Sequence, residues 1–209
     1  VRGIVMVTRT LDTPKARALK LVKSQGIARA RDLQAAGIPA PYLRRLVEEG
    51  ALEQPARGQY RIAGKAPSAG HTLAVAALAV PQGILCLLSA LRLHDLGTQT
   101  PHEVWMLIGA KAWEPTNPSV PLRIIRSRNP HEDIGVDRQK IEGVEVRVTS
   151  PERTVVECFK YRSTIGLDVA LEAMRDLIKR RRGKTDDLWR MAKVFRMQNV
   201  MRPYLDATA

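Results

Sequence analysis

The chain has 209 residues, of which 44% are apolar and 26% are charged, and its formal net charge at pH 7 is +13. This length and apolar content exclude a mostly disordered protein and are sufficient for two small hydrophobic cores. The net charge favours polyanionic partners, because each phosphate that a cation neutralises releases a condensed counterion. The alternative is an unusually basic surface with no such partner.

Most of the excess positive charge lies at the two ends of the chain. Lys and Arg outnumber Asp and Glu by 13 to 5 in residues 1–65 and by 13 to 8 in residues 151–209, whereas residues 66–150 contain 8 of each. Clustered cations are typical of segments that contact nucleic acid. The N-terminal segment is therefore the first candidate for a nucleic-acid interface.

Two short helices are predicted near the start of the chain. Thr13 is suited to cap the first helix, and Pro14 suits its first position, because N–H groups there have no partner within the helix. Apolar residues at helical spacing continue to about Gly26. A second helix is expected over residues 30–36, and Gly37 ends it.

A third helix is predicted from the segment PAPYLRRLVEE, which opens with two prolines. One face of this helix is apolar, with residues at positions i, i+3 and i+4: Leu43, Leu46 and Val47. At 100° per residue, Arg45 points away from that face, and Tyr42 and Arg44 flank it. The exposed N-terminal half of the helix is therefore basic and aromatic, as in helices that enter the DNA major groove.

A β-hairpin with a basic tip follows the third helix. The turn is expected over residues 55–58, and residues 59–62 alternate in the pattern of a strand. Three helices followed by such a hairpin are the parts of a winged helix-turn-helix domain. The predicted DNA-binding side chains are Tyr42, Arg44 and Arg45 on the third helix, Arg57 and Gln59 on the wing, and Arg29 and Arg31 before and within the second helix. A winged helix that contacts proteins instead of DNA is the alternative.

Residues 65–70 are interpreted as a short linker between a first domain, 1–65, and a second domain, 66–209. The second domain opens with an uncharged stretch, 66–91, that is long enough to span a bilayer. Because Pro81 and Gly83 interrupt it, two short buried helices are favoured over a membrane span.

The rest of the second domain is predicted to be mixed α/β and then helical after about residue 150. Strands are expected at 103–108, 122–126, 133–141 and 144–148, and helices at about 150–160, 167–181, 186–195 and near Pro203. The fold class is thus α+β, with a winged helix-turn-helix followed by an α/β domain that ends in a helical bundle. The basic run 179–184 either complements a helix dipole or contacts a phosphate or an acidic partner.

No motif for catalysis, metal binding or cofactor binding is found in the sequence. There is no phosphate-binding GxxxxGK[ST] motif, no GxSxG elbow, and no Gly-Ser pair followed by Asp-x-Asp, as a nucleotidyltransferase requires. The two cysteines, Cys86 and Cys158, are isolated, and no secretory signal is evident, so a cytoplasmic protein without cofactor or metal is expected. An enzyme acting on nucleic acid is the alternative, for which the candidate acids are Glu132, Asp133 and Asp187.

Three segments of the chain resemble the AbiEi family of antitoxins, which belong to abortive-infection type IV toxin-antitoxin operons of bacteria. They are GIPAPYLRRLVEEGALEQPARGQYRI, LCLLSALRLHDLGTQTPHEVWMLI and GVEVRVTSPERTVVECFKY. The resemblance implies a repressor whose N-terminal domain binds inverted repeats in double-stranded DNA of its own promoter. It also implies that the C-terminal domain counteracts a cognate nucleotidyltransferase toxin. A winged-helix transcription factor whose C-terminal domain binds a ligand or protein, without a toxin, is the other interpretation.

Overall fold

The structure is a computed structural model in which residues 13–64, 66, 68–128, 133–180 and 185–207 are described. The chain divides into two compact units, Val1–Ala66 and Pro67–Ala209, called here the N-terminal and C-terminal units. Lys65 and Pro67 of the predicted linker lie outside the described residues.

The described residues of the N-terminal unit form three helices and a three-stranded antiparallel sheet. In chain order these are α1 (Pro14–Gln25), β1 (Ile27–Arg29), α2 (Ala30–Ala35), α3 (Ala40–Glu48), β2 (Leu52–Ala56) and β3 (Gln59–Ile62). The order of strands in the sheet is β1-β3-β2. The predicted cap is present, because the Thr13 hydroxyl oxygen accepts a hydrogen bond from the Ala16 N–H at 3.1 Å. The three predicted helices and the hairpin are confirmed, whereas β1 was not predicted.

The core of the N-terminal unit is built from small and aliphatic residues of every element except β3. Its buried members are Ala18, Val22, Ala28, Leu33, Ile38, Leu43, Leu46 and Leu52. Leu43 and Leu46 come from the predicted apolar face of α3 and are fully buried. Because this face of α3 is fixed in the core, the opposite face of the helix is held toward solvent.

The C-terminal unit contains a five-stranded mixed sheet. In chain order it begins with α4 (His71–Ala79), β4 (Ile84–Leu85), α5 (Leu87–His94), β5 (Val104–Gly109), β6 (Leu122–Ser127), β7 (Val136–Ile141) and β8 (Val144–Thr149). The strand order is β6-β5-β4-β8-β7. The pairs β5–β6 and β4–β8 are parallel, and the other two pairs are antiparallel.

Within the described part of the chain, the sheet is followed by five helices: α6 (Pro151–Lys160), α7 (Arg162–Ile165), α8 (Leu167–Lys179), α9 (Thr185–Val194) and α10 (Gln198–Asp206). The predicted cap of α6 is present, because the Ser150 hydroxyl oxygen accepts a hydrogen bond from the Arg153 N–H at 3.3 Å. Side chains from α6, α8, α9 and α10 form one apolar core with α5 and with Trp105 and Leu107 of the sheet. These helices therefore cover one face of the sheet.

The α+β class is confirmed, and the two short helices predicted in the uncharged stretch are α4 and α5. Between them lies β4, a two-residue strand that was not predicted. The strand predicted over 133–141 begins only at Val136, because residues 133–135 form a turn. Within the described ranges, no helix combines the length and the apolar character needed to cross a membrane. Of the basic run, residues 181–184 lie outside the described part of the chain.

Candidate nucleic-acid interface

The exposed face of α3 presents two arginines to solvent. The side chains of Arg44 and Arg45 are 84% and 69% exposed, although Leu43 and Leu46 on the same helix are completely buried. Tyr42 is half-buried and packs against the core of the N-terminal unit. Its side chain therefore helps to anchor α3 in the core and is only partly accessible to a partner. The structure thus places Arg44 and Arg45 where a partner can reach both guanidinium groups.

Both arginines of α3 are paired with carboxylates one turn further along the chain. Arg44 Nε donates to Glu48 Oε1 at 3.1 Å, and Arg45 Nε donates to Glu49 Oε1 at 2.8 Å. Glu49 also accepts a hydrogen bond from Lys15 Nζ of α1 at 2.9 Å. Hydrogen bonds from Lys15 and then Arg45 lower the pKa of the Glu49 carboxyl below its ordinary value. Each carboxylate accepts from the Nε of one guanidinium, so a partner that used the same Nε would compete with it.

Replacing Glu48 with Gln is expected to strengthen binding to DNA by up to about fivefold, because exposed ion pairs of this kind stabilise by about 0.2–1 kcal/mol. The change frees Arg44 and removes one negative charge from the interface. Fluorescence anisotropy with a labelled duplex measures the effect. Glu145→Gln is the matched control, since Glu145 forms an exposed ion pair with Arg138 in the C-terminal unit. Equal affinities for the two variants would contradict the placement of α3 on DNA.

The wing is the hairpin of β2 and β3, with Arg57 and Gly58 at its turn. Gly58 has a φ of +72°, a conformation that suits glycine in a tight turn. Its carbonyl accepts a hydrogen bond from the Ala30 N–H at 2.7 Å, which ties the tip of the wing to the start of α2. Arg57 is exposed at this tip. The wing is therefore held in a fixed position within the N-terminal unit.

Gln59 is a correction to the predicted interface. Its side chain was expected to reach the DNA backbone, but the residue is only 5% exposed. β3 is the central strand of the sheet, with β1 and β2 hydrogen-bonded on either side, and Gln59 lies opposite Arg29 in that register. A side chain buried to this extent does not reach the DNA backbone, so Gln59 is left out of the candidate interface.

Arg29 and Arg31 differ in their environments. Arg29 is half-buried, and the pKa of its guanidinium is lowered, mainly by burial and to a lesser extent by repulsion from Arg31. Within the described residues, Arg29 Nε has no hydrogen-bond partner. The Arg31 side chain is exposed and lies 3.6 Å from Asp32, measured from Nε to Oδ1. Both arginines precede or begin α2, so they remain candidates for contacts with phosphate.

The acids considered for an enzyme do not form a cluster among the described residues. Asp133 pairs with Arg147, and Asp187 pairs with Arg190, both at the surface, whereas Glu132 lies outside the described part of the chain. In that same part, no group of three His, Cys, Asp or Glu side chains has the spacing of a metal site.

His94 is buried, with Nε2 2.6 Å from the carbonyl oxygen of Thr149, and His102 is exposed.

Three helices and a three-stranded sheet that ends in a hairpin define the N-terminal unit as a winged helix-turn-helix domain. Residues 16–63 match the family model described as "Transcriptional regulator, AbiEi antitoxin". The resemblance to the AbiEi family is thereby confirmed over residues 16–63, which comprise most of the winged helix.

Comparison with curated proteins finds no match. Among solved structures, the chain is similar to the RV2827C protein from Mycobacterium tuberculosis, with a TM-score of 0.57 and 16% sequence identity. The alignment covers 86% of this chain and 71% of that one. At this level of identity, the similarity shows a shared fold across both units and carries no information about activity.

Proposed function

We propose that the protein is a DNA-binding antitoxin that represses its own operon and counteracts a nucleotidyltransferase toxin. The observation that carries the proposal is the pair Arg44 and Arg45, exposed on a helix whose other face is buried, within the segment that matches AbiEi transcriptional regulators. Bidentate contact of Arg with guanine is the commonest specific contact in the major groove. The protein acts as a regulator and not as an enzyme in this proposal.

The wing and the start of α2 extend the proposed interface beyond α3. Arg57 at the wing tip contacts the neighbouring backbone or minor groove, and Arg29 and Arg31 contact phosphates. The operator consists of inverted repeats, so two copies of the N-terminal unit bind related half-sites. The hydrogen bond between Ala30 and Gly58 supports this arrangement, because it joins the wing to α2.

A gel-shift titration against the region upstream of the gene tests repression. We expect the full chain to bind this region about 10³-fold or more tighter than a scrambled duplex. The variant Arg44→Ala/Arg45→Ala/Arg57→Ala is expected to lose that preference and to show a shallower dependence of log affinity on log salt, by about 0.9 for each phosphate that is no longer neutralised.

The loss of positive charge alone would weaken DNA binding in any variant that lacks three arginines. The matched control is therefore Arg175→Ala/Arg190→Ala/Arg202→Ala, which removes three exposed arginines of the C-terminal unit. Equal loss of preference in both triple variants would contradict the proposed interface. Wild-type binding without preference for the upstream region would contradict repression itself.

A second candidate is a winged-helix regulator whose C-terminal unit binds a small ligand. It is favoured by a cavity of about 420 Å³ whose lining includes the charged or polar residues His71, Thr72, Ser89, Arg92, His102 and Glu103. The neighbouring gene separates the two candidates. A gene for a nucleotidyltransferase whose toxicity is relieved by co-expression of this chain supports the antitoxin, and absence of such a gene supports the ligand-binding regulator.

A further inference from the structure

The most exposed of the large apolar side chains among the described residues is Trp113, which is 70% exposed. It lies in the connection between the parallel strands β5 and β6 of the C-terminal unit. Tryptophan is usually buried over most of its surface, because its ring provides a large hydrophobic gain on burial. An indole that is exposed to this extent is available to a partner.

The loop that carries Trp113 is held in place by one arginine of β6. Arg126 donates hydrogen bonds to the carbonyl oxygens of Ala110 at 3.2 Å and Ala112 at 2.9 Å, and to the Glu114 carboxylate at 3.0 Å. The first two bonds fix the backbone just before the indole, and the third holds the side chain of the residue that follows it. A partner that contacts Trp113 therefore loses little entropy from ordering the loop.

Two exposed cations follow the strands that this loop connects. β5 and β6 run parallel with Gly109 opposite Ser127, so the residues that follow the two strands lie at one end of the sheet. Lys111 follows β5, Arg128 follows β6, and both are exposed. The one acid of the segment 110–128 is Glu114, whose carboxylate is paired with Arg126.

The surroundings of Trp113 fit nucleic acid better than a protein partner. A stable protein interface needs an apolar centre with a rim that excludes water. The other large exposed apolar side chains of the described residues, Ile134 and Trp189, belong to other parts of the chain. An exposed ring next to cations suits single-stranded nucleic acid, because one unpaired base can stack on the ring while the neighbouring phosphates contact the cations.

We propose that Trp113, Lys111 and Arg128 form a binding site for single-stranded nucleic acid. One unpaired base stacks on the Trp113 indole, and the adjacent phosphates contact Lys111 and Arg128. Base pairs in a duplex are stacked on each other and offer no free face, so this site is distinct from the duplex interface of the winged helix. It does not depend on repression or on the antitoxin activity.

Fluorescence anisotropy with labelled 15-nucleotide oligothymidylate and oligouridylate tests the site. The full chain with Arg44→Ala/Arg45→Ala/Arg57→Ala is the background, so that the winged helix does not contribute. In that background Trp113→Ala is expected to weaken binding about tenfold, because it removes one stacked base, whereas Trp113→Phe retains most of the affinity. Lys111→Gln is expected to reduce the salt slope by about 0.7, as for one phosphate contact with a single strand.

Trp189→Ala is the matched control, since it removes another exposed tryptophan from the C-terminal unit. It is expected to leave the affinity for both oligonucleotides unchanged. The proposal is overturned if the background protein binds neither oligonucleotide, if Trp113→Ala and Trp189→Ala bind equally, or if Trp113→Phe is as weak as Trp113→Ala. Binding of operator duplex by Trp113→Ala in the wild-type background separates this result from a failure of repression.

Discussion

Arg153→Met is expected to lower the free energy of unfolding of the C-terminal unit by about 3–5 kcal/mol. The side chains of Arg153 and Glu157 are 1% and 4% exposed, and Arg153 Nε lies 2.9 Å from Glu157 Oε1. The same guanidinium donates to the carbonyl oxygen of Ile134 at 2.7 Å and lies 5.1 Å from the centre of the Phe195 ring. Its removal leaves the Glu157 carboxylate buried without its partner, and that desolvation cost dominates the loss.

The loss of stability in Arg153→Met should depend on pH. Burial raises the pKa of the Glu157 carboxyl above its ordinary value, and Arg153 opposes this rise. The native state then holds a proton over a pH interval in which the unfolded state has released it, so stability falls as pH rises through that interval. Without Arg153 the interval extends to higher pH. The difference from wild type is therefore expected to be smaller at about pH 5 than at about pH 8.

Urea unfolding followed by tryptophan fluorescence measures the free energy of unfolding of the C-terminal unit. The signal is specific to that unit, because it contains all three tryptophans of the chain, Trp105, Trp113 and Trp189. The control is Arg153→Met/Glu157→Leu, which removes both charges and is expected to recover most of the lost stability. A single variant as stable as wild type at about pH 8 would show that the pair contributes nothing.

The predictions that depended on local chemistry were accurate. Thr13 and Ser150 cap the helices that they were expected to cap, because a hydroxyl three residues before an unpaired N–H needs no distant contact. The apolar face of α3 was also predictable, since the spacing of Leu43 and Leu46 is that of one helical face. Such signals lie entirely within one segment of the chain.

The errors concern elements that exist only through distant partners. β1 has three residues and β4 has two, which is too short for any alternation to be recognised, and each is fixed by strands elsewhere in the chain. Nothing in the local sequence pattern indicates that the side chain of Gln59 is buried. Burial of a polar side chain on a central strand depends on tertiary pairing, which the pattern of one strand does not contain.

Part of the candidate interface could be predicted from the sequence. The pairs Arg44–Glu48 and Arg45–Glu49 have the i, i+4 spacing of helical ion pairs, so they could have been predicted. The contribution of Lys15 to Glu49 could not, because it joins α1 to α3 across 34 positions of sequence. Trp113 gave no signal either, since exposure of an aromatic ring is a property of the folded loop.

Leu43→Ala is expected to destabilise the N-terminal unit by about 2–5 kcal/mol and to abolish binding to the operator, although Leu43 faces away from DNA. Leu43 is completely buried in a core of eight small or aliphatic residues. A unit of this size has little stability to lose, because small domains bury a low fraction of their surface. The exposed arginines of α3 then lose the packed face that orients them.

Calorimetry and the gel shift together test this prediction. We expect the thermal transition of the N-terminal unit to move to a lower temperature and the operator shift to disappear, while tryptophan fluorescence still reports a folded C-terminal unit. Leu43→Met is the control, because it nearly conserves volume and should cost less than about 1.5 kcal/mol. If Leu43→Ala binds the operator as tightly as wild type does although calorimetry shows that its N-terminal unit is unfolded at the temperature of the gel shift, α3 is not the element that reads the DNA. If its thermal transition does not move, the predicted destabilisation is wrong.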